Sequence, residues 1–224
     1  MRRNPLTAKL FHTATLVLLV SLQWHASAQQ QDPPTEMSKE LVYASRDGLR
    51  AVARLVGHYV RLEDSDDVEF VVERDVKDLC DNGTLVVVAR VIGRSEARLS
   101  EDGGLVTTDY SVTIAERLQG ELQDGVRLTV PMPGGTVKFP DGTSASIRST
   151  RNPDIRIGSR YVFFLRRAEA TEPYTPFLGP QGVFLLDDAG RVISRARDTD
   201  DVFQNYNGTD AAGFLSLVRA AARQ

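Results

Sequence analysis

Between residues 83 and 192, short apolar runs alternate with turns rich in Gly, Pro and Asp, and this pattern restricts the chain to a mainly β core. Leu85-Val86-Val87-Val88-Ala89-Arg90-Val91-Ile92 and Arg160-Tyr161-Val162-Phe163-Phe164-Leu165 are runs of strand length, rich in β-branched and aromatic residues. Tyr110, Val112 and Ile114 alternate with Asp109, Ser111 and Thr113, the period of two that a half-exposed strand requires. Strands are expected at 85–93, 106–117, 126–130 and 160–166. Hairpins are expected to join 136–139 to 145–148 around Pro140-Asp141-Gly142-Thr143, and 182–186 to 191–194 around Asp187-Asp188-Ala189-Gly190. Pro131-Met132-Pro133-Gly134-Gly135 breaks the third strand, and its glycines serve a tight turn. The run 160–166 is apolar on both faces, which predicts a helix against one side and a barrel interior against the other.

The flanks read as helical. Leu41, Ser45, Leu49, Val52, Val56 and Val60 recur at spacings of three and four, predicting a helix over 37–60. After the acidic break Leu62-Glu63-Asp64-Ser65-Asp66-Asp67, Asp66 caps a second helix, with Glu69 completing a capping box. That helix runs to about Cys80 with Val68, Val72, Val76 and Leu79 inward, and Asp81-Asn82-Gly83 stops it. A final helix spans 210–222, capped by Asp210, with Leu215 and Val218 inward. Asp198, Asp200, Asp201, Asn205 and Asn207, just before it, read as a solvated loop.

The N-terminus has the form of an export signal. Arg2, Arg3 and Lys9 precede the apolar core around Leu16-Val17-Leu18-Leu19-Val20, and Ala26-Ser27-Ala28 supplies small residues for cleavage after Ala28. The apolar core is shorter than the ~20 residues that span a bilayer, and the mature chain has no later candidate, so no membrane span is expected. The segments are then a signal peptide at 1–28, a polar, disordered leader at 29–36, a helical segment at 37–82, a β domain at 83–195, and a loop and helix at 196–224. The expected location is periplasmic or extracellular. Removing 28 of 224 residues takes Arg2, Arg3 and Lys9 with it and moves the formal net charge from −3 to −6. An acidic chain is poorly suited to nonspecific binding of nucleic acid or anionic membranes, and no nucleic-acid partner is expected.

The order Thr107-Thr108-Asp109-Tyr110-Ser111-Val112-Thr113-Ile114-Ala115-Glu116-Arg117-Leu118-Gln119-Gly120, then Pro133-Gly134-Gly135, then Gly158-Ser159 running into the 160–165 strand, then Gln181-Gly182-Val183-Phe184, resembles a broad group of exported bacterial proteins. Their barrel looks like an OB-fold, similar to the netrin-like domain of tissue metalloprotease inhibitors. The resemblance covers residues 83–194. It implies an α+β, mainly β fold: an OB-like closed antiparallel barrel with N-terminal helices and a C-terminal helix. Those inhibitors place an N-terminal cysteine on the target's zinc. The expected mature terminus here is Gln29, so that mode of inhibition does not carry over.

Catalytic chemistry finds little material. Beyond the signal segment the only His is His58 and the only Cys is Cys80. Neither a zinc set nor a Ser-His or Ser-Lys arrangement is evident, and no metal or cofactor is expected. Asp78 and Asp81 beside Cys80 disfavour a thiolate. Binding is the remaining class. Arg148, Arg151, Arg156 and Arg160 cluster in sequence, and Tyr174, Pro176, Phe177 and Gln181 form an aromatic loop. Arg148, Arg151, Arg160, Tyr174, Phe177 and Gln181 are therefore the candidate ligand-binding residues, for an anionic or carbohydrate ligand or for a protein or cell-envelope partner. The expected function is noncatalytic binding. The rival readings are a protease inhibitor acting through the 171–182 loop and a glycan-acting enzyme using carboxylates such as Glu116, Glu121 and Asp124.

Overall fold

The strand-forming runs assemble into two sheets, seen in a computed structural model that describes residues 35–36, 48–63, 75–148, 155–167, 169–196 and 200–223. All of these fall in one unit, Pro34–Gln224. The expected signal peptide with its cleavage point, the leader up to residue 34, the Asp66 cap and Arg151 lie outside the described residues. In chain order the strands are β1 (Thr35–Glu36), β2 (Tyr59–Glu63), β3 (Leu85–Arg94), β4 (Arg98–Leu99), β5 (Val106–Gln119) and β6 (Arg127–Pro133). There follow β7 (Gly135–Lys138), β8 (Ser144–Arg148), β9 (Arg160–Arg166), β10 (Thr175–Pro176), β11 (Val183–Leu186) and β12 (Val192–Ser194). The larger sheet runs β12-β11-β9-β3-β5-β4, with β6 paired to β5 and β10 to β9. The smaller sheet runs β1-β2-β8-β7.

The expected closed, wholly antiparallel barrel does not form. Both sheets are open, and β1, β2 and β8 pair in parallel. The larger sheet comes close to closing: β10 approaches within 8 Å of β6, Cα to Cα, yet no backbone ladder joins them. The chain chemistry at the seam explains this. Pro131 and Pro133 of β6 lie opposite Asp109 and Thr107 of β5. Asp109 directs its own backbone groups to Ser95, away from β6. The position opposite it is therefore not a hydrogen-bonded pair, and the N–H that Pro131 lacks is one the free edge would have offered. β10 is only two residues long, one of them Pro176.

The two-faced burial expected for 160–166 is present at 161–165, with helices against one face but the core of an open sheet, not a closed barrel's interior, against the other. Tyr161, Phe163 and Leu165 join Leu85, Val87, Ala89, Val91, Val112, Ile114 and Val130 in one core. Val162 and Phe164 face the opposite way, with Val86, Val88, Phe184 and Val192. Three short helices cover that second face: α2 (Val76–Asn82), α3 (Asp201–Tyr206) and α4 (Ala211–Ala221). Their contributions are Val76, Leu79 and Cys80, then Val202, then Phe214 and Val218. The Phe184 ring sits 4.9 Å from Phe214 and 5.7 Å from Phe164. Asp75 caps α2 by accepting from the Asp78 N–H, and Asp210 caps α4 by accepting from that of Gly213.

Three flanking expectations are revised. The helix that carries Cys80, expected to run from Asp66, starts at Val76 after Asp75, whose backbone is extended (φ −148°). The first helix, α1 (Leu49–Val56), ends where Gly57 turns left-handed (φ 79°) and returns its N–H to Ala53 and Arg54. Val60 therefore sits in β2, in a third core with Leu49, Val52, Ala53, Phe139 and Ala145. The acidic stretch read as a loop contains α3, held because Val202 is fully buried.

Cys80 is buried on α2, and its thiol is pushed up to about 11, first by burial and then by the charges of Asp81 and Asp75. An upward shift of that size lowers the reactive thiolate fraction by roughly a hundredfold. Iodoacetamide should accordingly label the native protein at least about a hundredfold more slowly than the urea-unfolded chain. Fast labelling without denaturant would show that α2 opens locally.

Candidate functional site

At Pro133-Gly134-Gly135 the chain leaves the larger sheet as β6 and enters the smaller one as β7. Both glycines have left-handed backbones (φ 109° and 122°), so the crossing occupies backbone space that side-chain-bearing residues avoid. The Thr108 hydroxyl donates to the Gly134 carbonyl at 2.8 Å. On the β8 side, Thr136 donates to Ser146 at 3.1 Å, and Ser146 donates to the Gly135 carbonyl at 3.2 Å. These hydroxyls are committed to holding the crossing.

The crossing floors a cleft of about 680 Å³ between the sheets. Its walls come from the end of β3, from β5, β6, β7 and β8, and from Ile155 and Arg195. The apolar part is Tyr110, Met132, Ile147 and Ile155. The charged part is Arg94, Lys138, Arg148 and Arg195 against a single carboxylate, Glu96. Arg195 is 4% exposed, whereas Arg94, Lys138 and Arg148 stand at the open side. Among the described residues no ion pair engages those three.

Arg94 reaches the cleft through a β-bulge. Val91 pairs with Val112, both facing the core, and strict alternation would then turn Arg94 outward. The register slips between Val91 and Gly93, so that Gly93 pairs with Ser111 and Arg94 with Tyr110. Arg94 thereby shares the face of Tyr110 and is aimed inward, as bulges re-aim side chains elsewhere. Ile155 is placed by a second device: the buried Tyr161 hydroxyl accepts from the Arg156 N–H at 2.9 Å, fixing the segment that carries it.

The six candidates from sequence are not assembled into one site. Arg148 alone lines this cleft. Phe177 lines a separate groove of about 470 Å³ with Arg166, Glu172, Pro173 and Leu178. There Arg166 lies 5.9 Å from the Phe177 ring, and Leu178 holds a left-handed backbone (φ 51°). Tyr174 belongs to the first core, with the Arg167 guanidinium 4.8 Å from its ring, and Gln181 is buried. Arg160 is exposed at the start of β9. Arg151 is outside the described residues.

Two of the three carboxylates considered for catalysis have other partners. Glu116 accepts two hydrogen bonds from Arg219 of α4, at 2.8 and 2.9 Å, and these hold its carboxyl below the usual range. Asp124 accepts from the Arg117 N–H at 2.7 Å, and Glu121 is exposed. His58 lies in the turn between α1 and β2, away from the cleft lining. Among the described residues, no group of three His, Cys, Asp or Glu side chains is placed to hold a metal ion, and no helix is long and apolar enough to cross a membrane. Compared with known protein families and with curated proteins, the sequence matches none.

Proposed function

We propose that the chain is an exported, noncatalytic binding protein whose cleft receives an anionic ligand. The carrying observation is the charge of the lining: four cationic side chains against one carboxylate, in a protein whose formal net charge is −3. The committed hydroxyls favour binding over turnover, since neither Thr108 nor Ser146 has a basic side chain as its hydrogen-bond partner. Guanidinium groups recognise phosphate and carboxylate through paired N–H donors, and Lys138 adds a compact charge. The apolar wall of Tyr110, Met132, Ile147 and Ile155 favours a ligand with a nonpolar or sugar-like face beside its charges. Export rests on the N-terminal segment of the sequence.

Calorimetric titration with tripolyphosphate and oligogalacturonate, with maltotriose as the neutral comparison, tests this reading. Binding is expected for at least one anionic probe and not for maltotriose. Lys138→Ala and Arg148→Ala should each weaken it roughly tenfold, the equivalent of about 1.5 kcal/mol for a charge-assisted hydrogen bond. Both residues are exposed, so the fold should survive the changes. Equal affinity for the neutral sugar, or affinity unchanged in the double variant, would refute the proposal.

A further inference from the structure

The opposite face of the larger sheet carries a second cationic feature. Arg160 of β9 lies directly across from Arg90 of β3, Arg90 across from Thr113 of β5, and Thr113 across from Arg127 of β6. Direct partners share a face, so three arginines stand in one row, about 14 Å long at ordinary strand spacing. The row continues from Leu186, which is buried beneath the helices, so it lies on the helix-bearing face just past their cover. All three arginines are exposed, and none is ion-paired among the described residues. Like charges directly opposite across a ladder repel.

The carboxylates nearest in sequence on β5 and the turn after it do not relieve this repulsion. Asp109 is held by Arg98, Glu116 by Arg219, and Asp124 by the Arg117 N–H, while Glu121, exposed in the turn, forms no ion pair with the three arginines among the described residues. Arg90 spends one N–H on the Gly158 carbonyl at 2.6 Å, which fixes its direction and leaves its other donors. The turn it grips, itself bonded to Val91 through Gly158 and Ser159, presents Arg156 and Ile157. Ile157 is 56% exposed, and Ile92, at the nearby bulge of β3, is 41% exposed. An open strand surface with unpaired arginines beside exposed isoleucines matches a partner that offers phosphates and hydrocarbon together.

We infer that this face docks on an anionic phospholipid bilayer, with Arg90, Arg127 and Arg160 on headgroup phosphates and Ile92 and Ile157 entering between headgroups. The surface is separate from the cleft, because Arg94 turns to the other side of β3. Binding is local: the net acidic remainder of the chain disfavours general adhesion and makes orientation strict.

Vesicle co-sedimentation of the purified protein tests the inference, using phosphatidylcholine alone and phosphatidylcholine mixed with phosphatidylglycerol. Partition is expected only onto the mixed vesicles, and it should weaken as salt rises. Arg90→Ala with Arg160→Ala should lower it roughly 25-fold, about fivefold per arginine, while thermal melting changes little, the lost Arg90–Gly158 bond being set against the relieved repulsion. Ile157→Asp should also lower it, and Lys138→Ala with Arg148→Ala should leave it intact. Equal sedimentation with neutral vesicles, or full partition of the Arg90/Arg160 variant, would overturn the inference. So would tight binding of soluble polyphosphate through these arginines with no partition onto vesicles, which would make the face a site for a dissolved polyanion.

Discussion

Replacing Phe163 by alanine is expected to cost about 3–5 kcal/mol of folding stability, the usual loss for a fully buried phenylalanine. Phe163 is 0% exposed and lies in the middle strand of three, opposite Val87 of β3 and Val183 of β11. Its ring centroid is 5.6 Å from that of Tyr161 on the same face. The strands on both sides are fixed by ladders, so the cavity cannot close by moving one of them, and the loss should fall in the upper part of the range. Phe163→Leu keeps most of the volume and should cost roughly 1.5 kcal/mol or less. Urea unfolding followed by tryptophan-independent circular dichroism measures both, with an unchanged slope showing that the unfolded state is the same. A loss below about 1 kcal/mol for the alanine variant would mean that Phe163 is not a core residue. Natural domains are stable by only about 5–15 kcal/mol, so the expected loss is a large share of what holds this one together.

The β9 pattern behind that expectation was plain in the sequence because its cause is local. The run 161–165 is apolar at every position, and all five residues of it are buried in β9. The turn residues of the last hairpin likewise placed β11 and β12, with Asp187 accepting from the Arg191 N–H at 2.7 Å. What the sequence hid is non-local. Tyr59–Glu63 continues a helical spacing from Leu49, and only the left-handed stop at Gly57 separates helix from strand. Its parallel partner β8 lies more than 80 residues away, so nothing nearby records the pairing. The closed barrel was expected from the resemblance and from the two-faced apolar run at 160–166, whereas the outcome turns on which edge of β6 its prolines face.

The site was legible only in part for the same reason. Arg148, Arg151 and Arg160 are close in sequence, but β8 and β9 belong to different sheets, and Arg148 and Arg160 serve different surfaces. Strict alternation would turn Arg94 outward, and only the bulge after Val91 aims it inward; Lys138 and Arg195 become neighbours of Arg148 only through the crossing. The one local clue was Pro133-Gly134-Gly135. Two adjacent glycines at a strand end signal a close backbone approach as well as a turn, and both glycines are needed here.

That clue leads to the second large effect. Gly135→Ala should cost roughly 3 kcal/mol or more, from two separate sources. The backbone at φ 122° is one that residues with a side chain rarely adopt, and the new methyl would stand 2.8 Å from the Ala97 Cβ and nearer still to the Thr108 hydroxyl oxygen. Gly142 separates the two: its φ is 86° but nothing lies within 4 Å of an added Cβ, so Gly142→Ala should show the backbone strain alone, about 1–2 kcal/mol. Pairing Gly135→Ala with Ala97→Gly should recover part of the crowding and none of the strain, which a double-mutant cycle reads directly. The position also joins stability to function. If the methyl displaces Thr108, its bond to the Gly134 carbonyl is lost and the cleft floor shifts, so affinity for the anionic probe should fall in the molecules that remain folded. Full stability in Gly135→Ala would show that β6 and β7 cross with more room than the structure gives them. Lost stability with unchanged probe affinity would place the anion site away from the crossing.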